Sequence, residues 1–180
     1  SDLKIEVEGK YISNTPSGMV DIFLKGKDMD VQSVLSLLPD KYRNSVSDYD
    51  SEGEFYCNAH ISGRIDEVNS PDVKADFGIT RSDITQISSG IVLRDVHLLG
   101  NYNSSAGKDF LDLKTFSATL AHGTVTGSIR LDDLASPFVN ASFSANLLLE
   151  DIRQLTKMDT VWNYPVESFA GSMKVNVKYQ

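Results

Sequence analysis

The chain of 180 residues is long enough for one or two domains, and its 41% apolar and 23% charged residues are ordinary for a folded protein. Seventeen Lys and Arg against 25 Asp and Glu give a net charge of −8, which argues against nucleic acid as a main ligand, because phosphate binding needs a basic surface. The single cysteine, Cys57, excludes an internal disulfide and a cysteine-rich zinc site, and no apolar run reaches the ~18 residues of a membrane-spanning helix.

In chain order, the recurring signal is a period of two. Leu3, Ile5 and Val7 alternate with Lys4, Glu6 and Glu8, which predicts a strand with one wet face, because successive strand side chains point to opposite sides. A loop is expected at Asn14–Gly18 and a weaker strand near 19–26. In 30–38, Val31, Val34, Leu35 and Leu38 share one helical face; Asp30 is placed to cap this short helix and Pro39 to stop it. The segment 39–52 reads as a polar connection, after which Gly53 opens a strand with Phe55, Cys57, Ala59 and Ile61 on its apolar side. Val73, Ala75, Phe77 and Ile79 form the next strand, after a loop at Asn69–Asp72. Weaker strands are expected near 83–87, 91–102 and 109–119, with a loop at Ser104–Lys108. Clean alternation returns with Val125, Ile129 and Leu131, then with Val139, Ala141, Phe143, Ala145 and Leu147. A second short helix is predicted over 150–158, where Ile152, Leu155 and Met158 fall on one face. The chain ends in Phe169, Met173, Val175, Val177 and Tyr179 alternating with Ser172, Lys174, Asn176 and Lys178.

Such alternation is the mark of antiparallel sheet with one solvated face. The expected fold is therefore mainly β: one domain over 1–180, built on a long antiparallel, curled sheet with two short helices, shaped as a groove or a half-open sandwich or barrel. Its candidate apolar groove or core face carries Val125, Ile129, Phe143, Met173, Val175 and Val177. The same pattern serves a closed sandwich whose core is protein. The alternation runs at Leu3 and still runs at Tyr179, so the chain reads as a segment of a longer one, with any targeting signal or anchor outside it.

Residues with reactive side chains do not converge in the sequence. His60, His97 and His122 have no metal-ligand spacing, and His60 falls on the polar side of its strand. Asp48, Asp50, Glu52 and Gly53 mimic the start of a calcium loop, but Ala59 stands where the bidentate Glu is needed, so a solvated acidic loop is expected. Asp132 and Asp133 read as a turn before Pro137. No nucleophile-elbow Gly-x-Ser-x-Gly occurs, and Cys57 reads as an inert thiol on the apolar side. Trp162 and Tyr164 follow the second predicted helix and could plug the groove or core, with sugar stacking as a minor role. No catalytic residue, metal or cofactor is assigned.

Two parts of the chain share a pattern of strand, Asp-aliphatic short helix, polar loop and glycine-opened long strand: 20–65 and 138–179. Asp30-Val31 corresponds to Asp151-Ile152, and Gly53 to Gly171, as in an internal repeat. This unit, from Gly26 through Leu37-Leu38-Pro39 to Gly53 and Ser62-Gly63, resembles the C-terminal region of the AsmA family. The second half is similar, from Leu111 through Ala121-His122-Gly123 and Leu134-Ala135-Ser136-Pro137 to Leu149-Glu150-Asp151-Ile152. The resemblance covers about residues 20–179 and rests on β patterns. It implies a non-enzymatic periplasmic domain of a Gram-negative bacterium, anchored in the inner membrane by a segment outside this chain. It further implies a role in outer-membrane biogenesis, with phospholipid transport along an apolar β groove, as in the TamB-like and bridge-like lipid-transfer relatives. The alternative is a secreted or surface β-sandwich that binds carbohydrate or protein. A third reading, an enzyme, lacks a supporting motif. A cut sheet edge also predicts self-association through a terminal strand.

Overall fold

The structure, a computed structural model, describes residues 4–14, 17–36, 47–147 and 169–178. Nine strands form one sheet: β1 (Ile5–Asn14), β2 (Ser17–Asp30), β3 (Tyr49–Ile65), β4 (Asp72–Gln86), β5 (Ile91–Ser105), β6 (Lys108–Leu120), β7 (Gly123–Asp132), β8 (Phe138–Leu147) and β9 (Phe169–Lys178). Their order in the sheet is their order in the chain, and every neighbouring pair is antiparallel. One helix, α1 (Val31–Ser36), is described. The mainly β, antiparallel expectation holds. The expected curl does not: β1 pairs only with β2 and β9 only with β8, so the sheet stays open, neither closed nor strongly curled. Among the described residues only neighbouring strands pair.

The strands are longer than their sequence patterns, and β-bulges explain why. In β4 the apolar residues fall at odd positions through Ile79 and at even ones from Ile84; a register shift opposite Glu54 and Phe55 absorbs the extra residue. The expected strands at 73–79 and 83–87 are thus one strand. In β5 the phase changes between Leu93 and Val96, at Asp95 with its φ of 49°, and in β6 between Leu113 and Phe116. A bulge costs one unpaired residue and returns the next apolar side chain to the same face. Alternation read with a fixed phase weakens where these shifts fall.

Boundaries differ for related reasons. β3 opens at Tyr49, so Asp50 and Glu52 lie in a strand rather than in the expected acidic loop. Asn14 and Ser17 are register partners, as are Ser13 and Gly18, so most of the expected loop at Asn14–Gly18 belongs to β1 and β2, and residues 15–16 lie outside the described ones. Ala106 and Gly107, with φ of 50° and 74°, join β5 to β6 in place of a longer loop.

Asp30 caps α1: its Oδ2 accepts from the Ser33 backbone N–H at 2.9 Å and from the Ser33 hydroxyl at 2.7 Å. The helix runs over Val31–Ser36, inside the predicted 30–38, and residues 37–46 lie outside the described ones. So do the predicted helix at 150–158, Trp162 and Tyr164.

Candidate functional site: an apolar sheet face

Cross-strand register converts the alternation into continuous rows. Ile5, Gly26, Cys57, Phe77, Gly100, Leu113, Ile129, Ala141 and Val175 are successive partners across all nine strands. A second row runs Val7, Leu24, Ala59, Ala75, Tyr102, Leu111, Leu131, Val139 and Val177. A third starts at Met29 and runs Phe55, Ile79, Leu98, Phe116, Gly127, Phe143 and Met173. Strands stand about 4.8 Å apart, so a nine-strand row is about 38 Å wide. Partners in register share a face, so the first two rows carry one polar group between them, the Tyr102 hydroxyl.

One residue along, the chemistry reverses. Glu6, Lys25, Asn58, Asp76, Asn101, Asp112, Arg130, Asn140 and Asn176 are also successive partners, and all are polar. The sheet is amphipathic over its whole width.

Five of the six candidate residues stand in the three apolar rows. The sixth, Val125, pairs with Ala118 and Ala145 one row further. Val125, Ile129 and Phe143 are half-buried, whereas Ala118 and Ala141 between them are buried. Met173, Val175 and Val177 of β9 enter through register, opposite Phe143, Ala141 and Val139.

Among the described residues, the element packed on the sheet is α1, against β2 and β3. Gln32 Oε1 accepts from the Ser51 hydroxyl at 3.1 Å, and Met29 folds over Gly26. Met29 and Val31 are buried there, each 4% exposed. At the same end, Tyr49, Ile84, Ile91, Leu93 and Leu120 line an apolar recess of about 280 Å³.

The polar side carries charges in local pairs. His60 Nε2 lies 2.7 Å from Asp21 Oδ1, and its ring stacks on Phe23 with centroids 4.1 Å apart. Arg130 donates from Nη2 and Nε to Asp132 at 2.8 and 3.0 Å, with its guanidinium 4.2 Å above the centre of Phe110. The Asp132 hydrogen bonds push the Arg130 guanidinium upward, so it stays a fixed cation. Glu52, Glu54, Arg81, Asp83, Asp95 and His97 line an open recess of about 620 Å³ where the bulges of β4 and β5 meet. No three His, Cys, Asp or Glu side chains among the described residues are grouped to hold a metal ion.

Cys57 stands in the first apolar row, half-buried. Burial, and secondarily the charge of Asp76, push its thiol upward, away from the reactive thiolate. Asp48 binds Ser88 at the β3–β4 end of the sheet: its carboxylate accepts from the Ser88 hydroxyl and, at 3.0 Å, from the Ser88 N–H. Asp133 Oδ1 accepts from Ala135 and Ser136 N–H groups at 3.2 Å, forming the turn before Pro137.

The sequence pattern missed the pairing of His60 with Asp21 and of Arg130 with Asp112 and Asp132. The register reveals the partners Asp21 and Asp112, whereas Asp132 stands two residues from Arg130 on the same face of β7. Compared with protein-family models, curated proteins and solved structures, the chain matches none.

Proposed function

We propose that this chain is a non-enzymatic, lipid-handling β domain of the AsmA-like kind, whose apolar face receives phospholipid acyl chains. The observation that carries the reading is the set of adjacent apolar rows on which, among the described residues, only α1 is packed. Each methylene moved from water onto such a surface gains ~0.8 kcal/mol, so acyl chains need no specific polar contact. The opposite polar row keeps the sheet wetted while the other side is loaded. In this reading the acyl chains lie along the open apolar face itself. The sequence resemblance adds the setting: the periplasm, an inner-membrane anchor in the full-length protein, and outer-membrane biogenesis with phospholipid transport as the task.

A carbohydrate-binding reading calls for aromatic side chains on exposed loops. Among the described residues, the large apolar side chains most exposed in the connections are Val68, Ile87 and Leu134, all aliphatic; Tyr42, Trp162 and Tyr164 lie outside the described residues.

The test is binding of a fluorescent phospholipid by the wild type, Ile129→Asp and Ser128→Asp, with melting temperature followed in parallel. Ile129→Asp puts a carboxylate in the apolar row and should weaken binding at least roughly tenfold while the fold survives, because water reaches a half-buried site. Ser128→Asp, on the other face, should bind as the wild type does. A wild type that binds no phospholipid would defeat the reading. Unfolding of Ile129→Asp at ambient temperature would indicate a closed core instead.

A further inference from the structure

Among the described strands β1 borders the sheet, and its outer side has a pattern that selects its partner. Its ten residues pair with β2 without a register shift, and neither a proline nor a bulge interrupts them. Ile5, Val7, Tyr11 and Ile12 are 48, 65, 62 and 56% exposed, an unusual concentration on one strand. Edge strands are commonly blunted by bulges, prolines or charges. Here the only such device is the charge sequence Lys4, Glu6, Glu8, Lys10, which is self-complementary in one alignment.

Along β1 the backbone groups of alternate residues pair with β2, and those of the residues between them point outward. A second β1 running antiparallel can satisfy the outward groups only if odd-numbered residues stand opposite odd-numbered ones and even-numbered opposite even-numbered. Charge then chooses among the allowed alignments. A register centred on Val7 sets Glu6 against Glu8 and Lys4 against Lys10. Centring on Glu8 sets two glutamates together, and centring on Lys10 two lysines. Centring on Gly9 sets each Glu8 against Lys10 of the second copy, places Val7 against Tyr11, and pairs 5–13 end to end with no like charges directly opposed.

We infer that β1 is a homotypic docking edge: two copies of this chain pair β1 to β1, antiparallel, with Gly9 on the two-fold axis. The axis is perpendicular to the sheet, so the apolar faces of both copies lie on the same side of one continuous sheet. The occupant is a second copy because the complementarity is between the strand and itself, and the two most exposed apolar side chains of β1, Val7 and Tyr11, cover each other.

Analytical ultracentrifugation of the wild type, Glu8→Lys, Lys10→Glu and the double swap tests the partner. The wild type should show a monomer–dimer equilibrium. Each single reversal puts like charges opposite at two places and should raise the dissociation constant roughly tenfold, and the double swap should restore it. Oxidative cross-linking in a Cys57→Ala background tests the register. Glu8→Cys mixed with Lys10→Cys should give a disulfide-linked dimer, because directly opposed residues of antiparallel strands have Cα atoms about 4.5–5.5 Å apart, within disulfide reach. Either variant alone should cross-link much more slowly. A monomer at millimolar concentration, a double swap that fails to restore association, or equal cross-linking by Glu8→Cys alone would overturn the proposal. Circular dichroism of each variant separates lost pairing from lost fold.

Discussion

The ring of Phe143 lies across the α-carbon of Gly127, its partner on the neighbouring strand; a Cβ built on Gly127 would come 2.5 Å from Phe143 Cδ1. Phe77 covers Gly100 in the same way, with a Cβ there 2.7 Å from its Cζ. Glycine in a strand loses packing and exposes backbone, and an aromatic ring from the adjacent strand replaces the missing side chain. Both pairs lie in the apolar rows, so ring and glycine act as one unit of the surface. Gly127→Ala and Phe143→Ala should each destabilise the chain by about 1–2 kcal/mol in urea denaturation. The double variant should cost less than the sum, because removing the ring removes the clash. Strict additivity would mean that the two residues are not coupled.

A pH dependence follows from two carboxylates, Asp48 and Asp66. Asp48 is held below the usual carboxylate range chiefly by the Ser88 hydroxyl, and Asp66 by the N–H groups of Val68 and Asn69 at 3.0 and 2.8 Å. A carboxyl whose folded-state pKa is lowered contributes its full stability above the unfolded value of ~3.9 and loses it as pH falls through the folded value. The melting temperatures of Asp48→Ala and Asp66→Ala should therefore lie below that of the wild type at pH 6, and the gap should narrow as the pH falls below the unfolded carboxylate value. A gap that persists at the lowest pH would assign these residues a role independent of charge.

Much of the sheet was legible because burial of one face forces a period of two, and that pattern is local. The clearest segments, around Phe55 to Ile61, Val125 to Leu131 and Val139 to Leu147, became β3, β7 and β8, and Asp30 caps α1 as its position suggested. The strands that read weakly, β4, β5 and β6, each contain a phase shift, which a fixed-phase pattern cannot carry. The register across the sheet was not legible, since it depends on which residues the bulges skip. The openness of the sheet was not legible either, because alternation is the same in a flat, curled or closed sheet. His60 read as solvated on the polar side; its partner Asp21 is one strand away and 39 residues earlier, a separation with no local signature.

The last prediction uses Cys57 as a reporter built into the apolar face. It stands in the first row between Gly26 and Phe77, half-buried, with its thiol pushed upward chiefly by desolvation. Only the thiolate alkylates, so iodoacetamide at pH 8 should modify the folded protein more slowly than the urea-unfolded chain, and the rate should reach its midpoint at a higher pH when the protein is folded. Acyl chains on this face would cover the sulfur and exclude water, so saturating phospholipid should slow the reaction further. Pairing through β1 would not, because Cys57 is two strands in from that edge, about 10 Å away. Labelling rates with and without phospholipid, in the wild type and in Glu8→Lys, therefore separate occupation of the face from dimerisation at the edge. Phospholipid that binds and leaves the alkylation rate unchanged would place the acyl chains away from the row that contains Cys57.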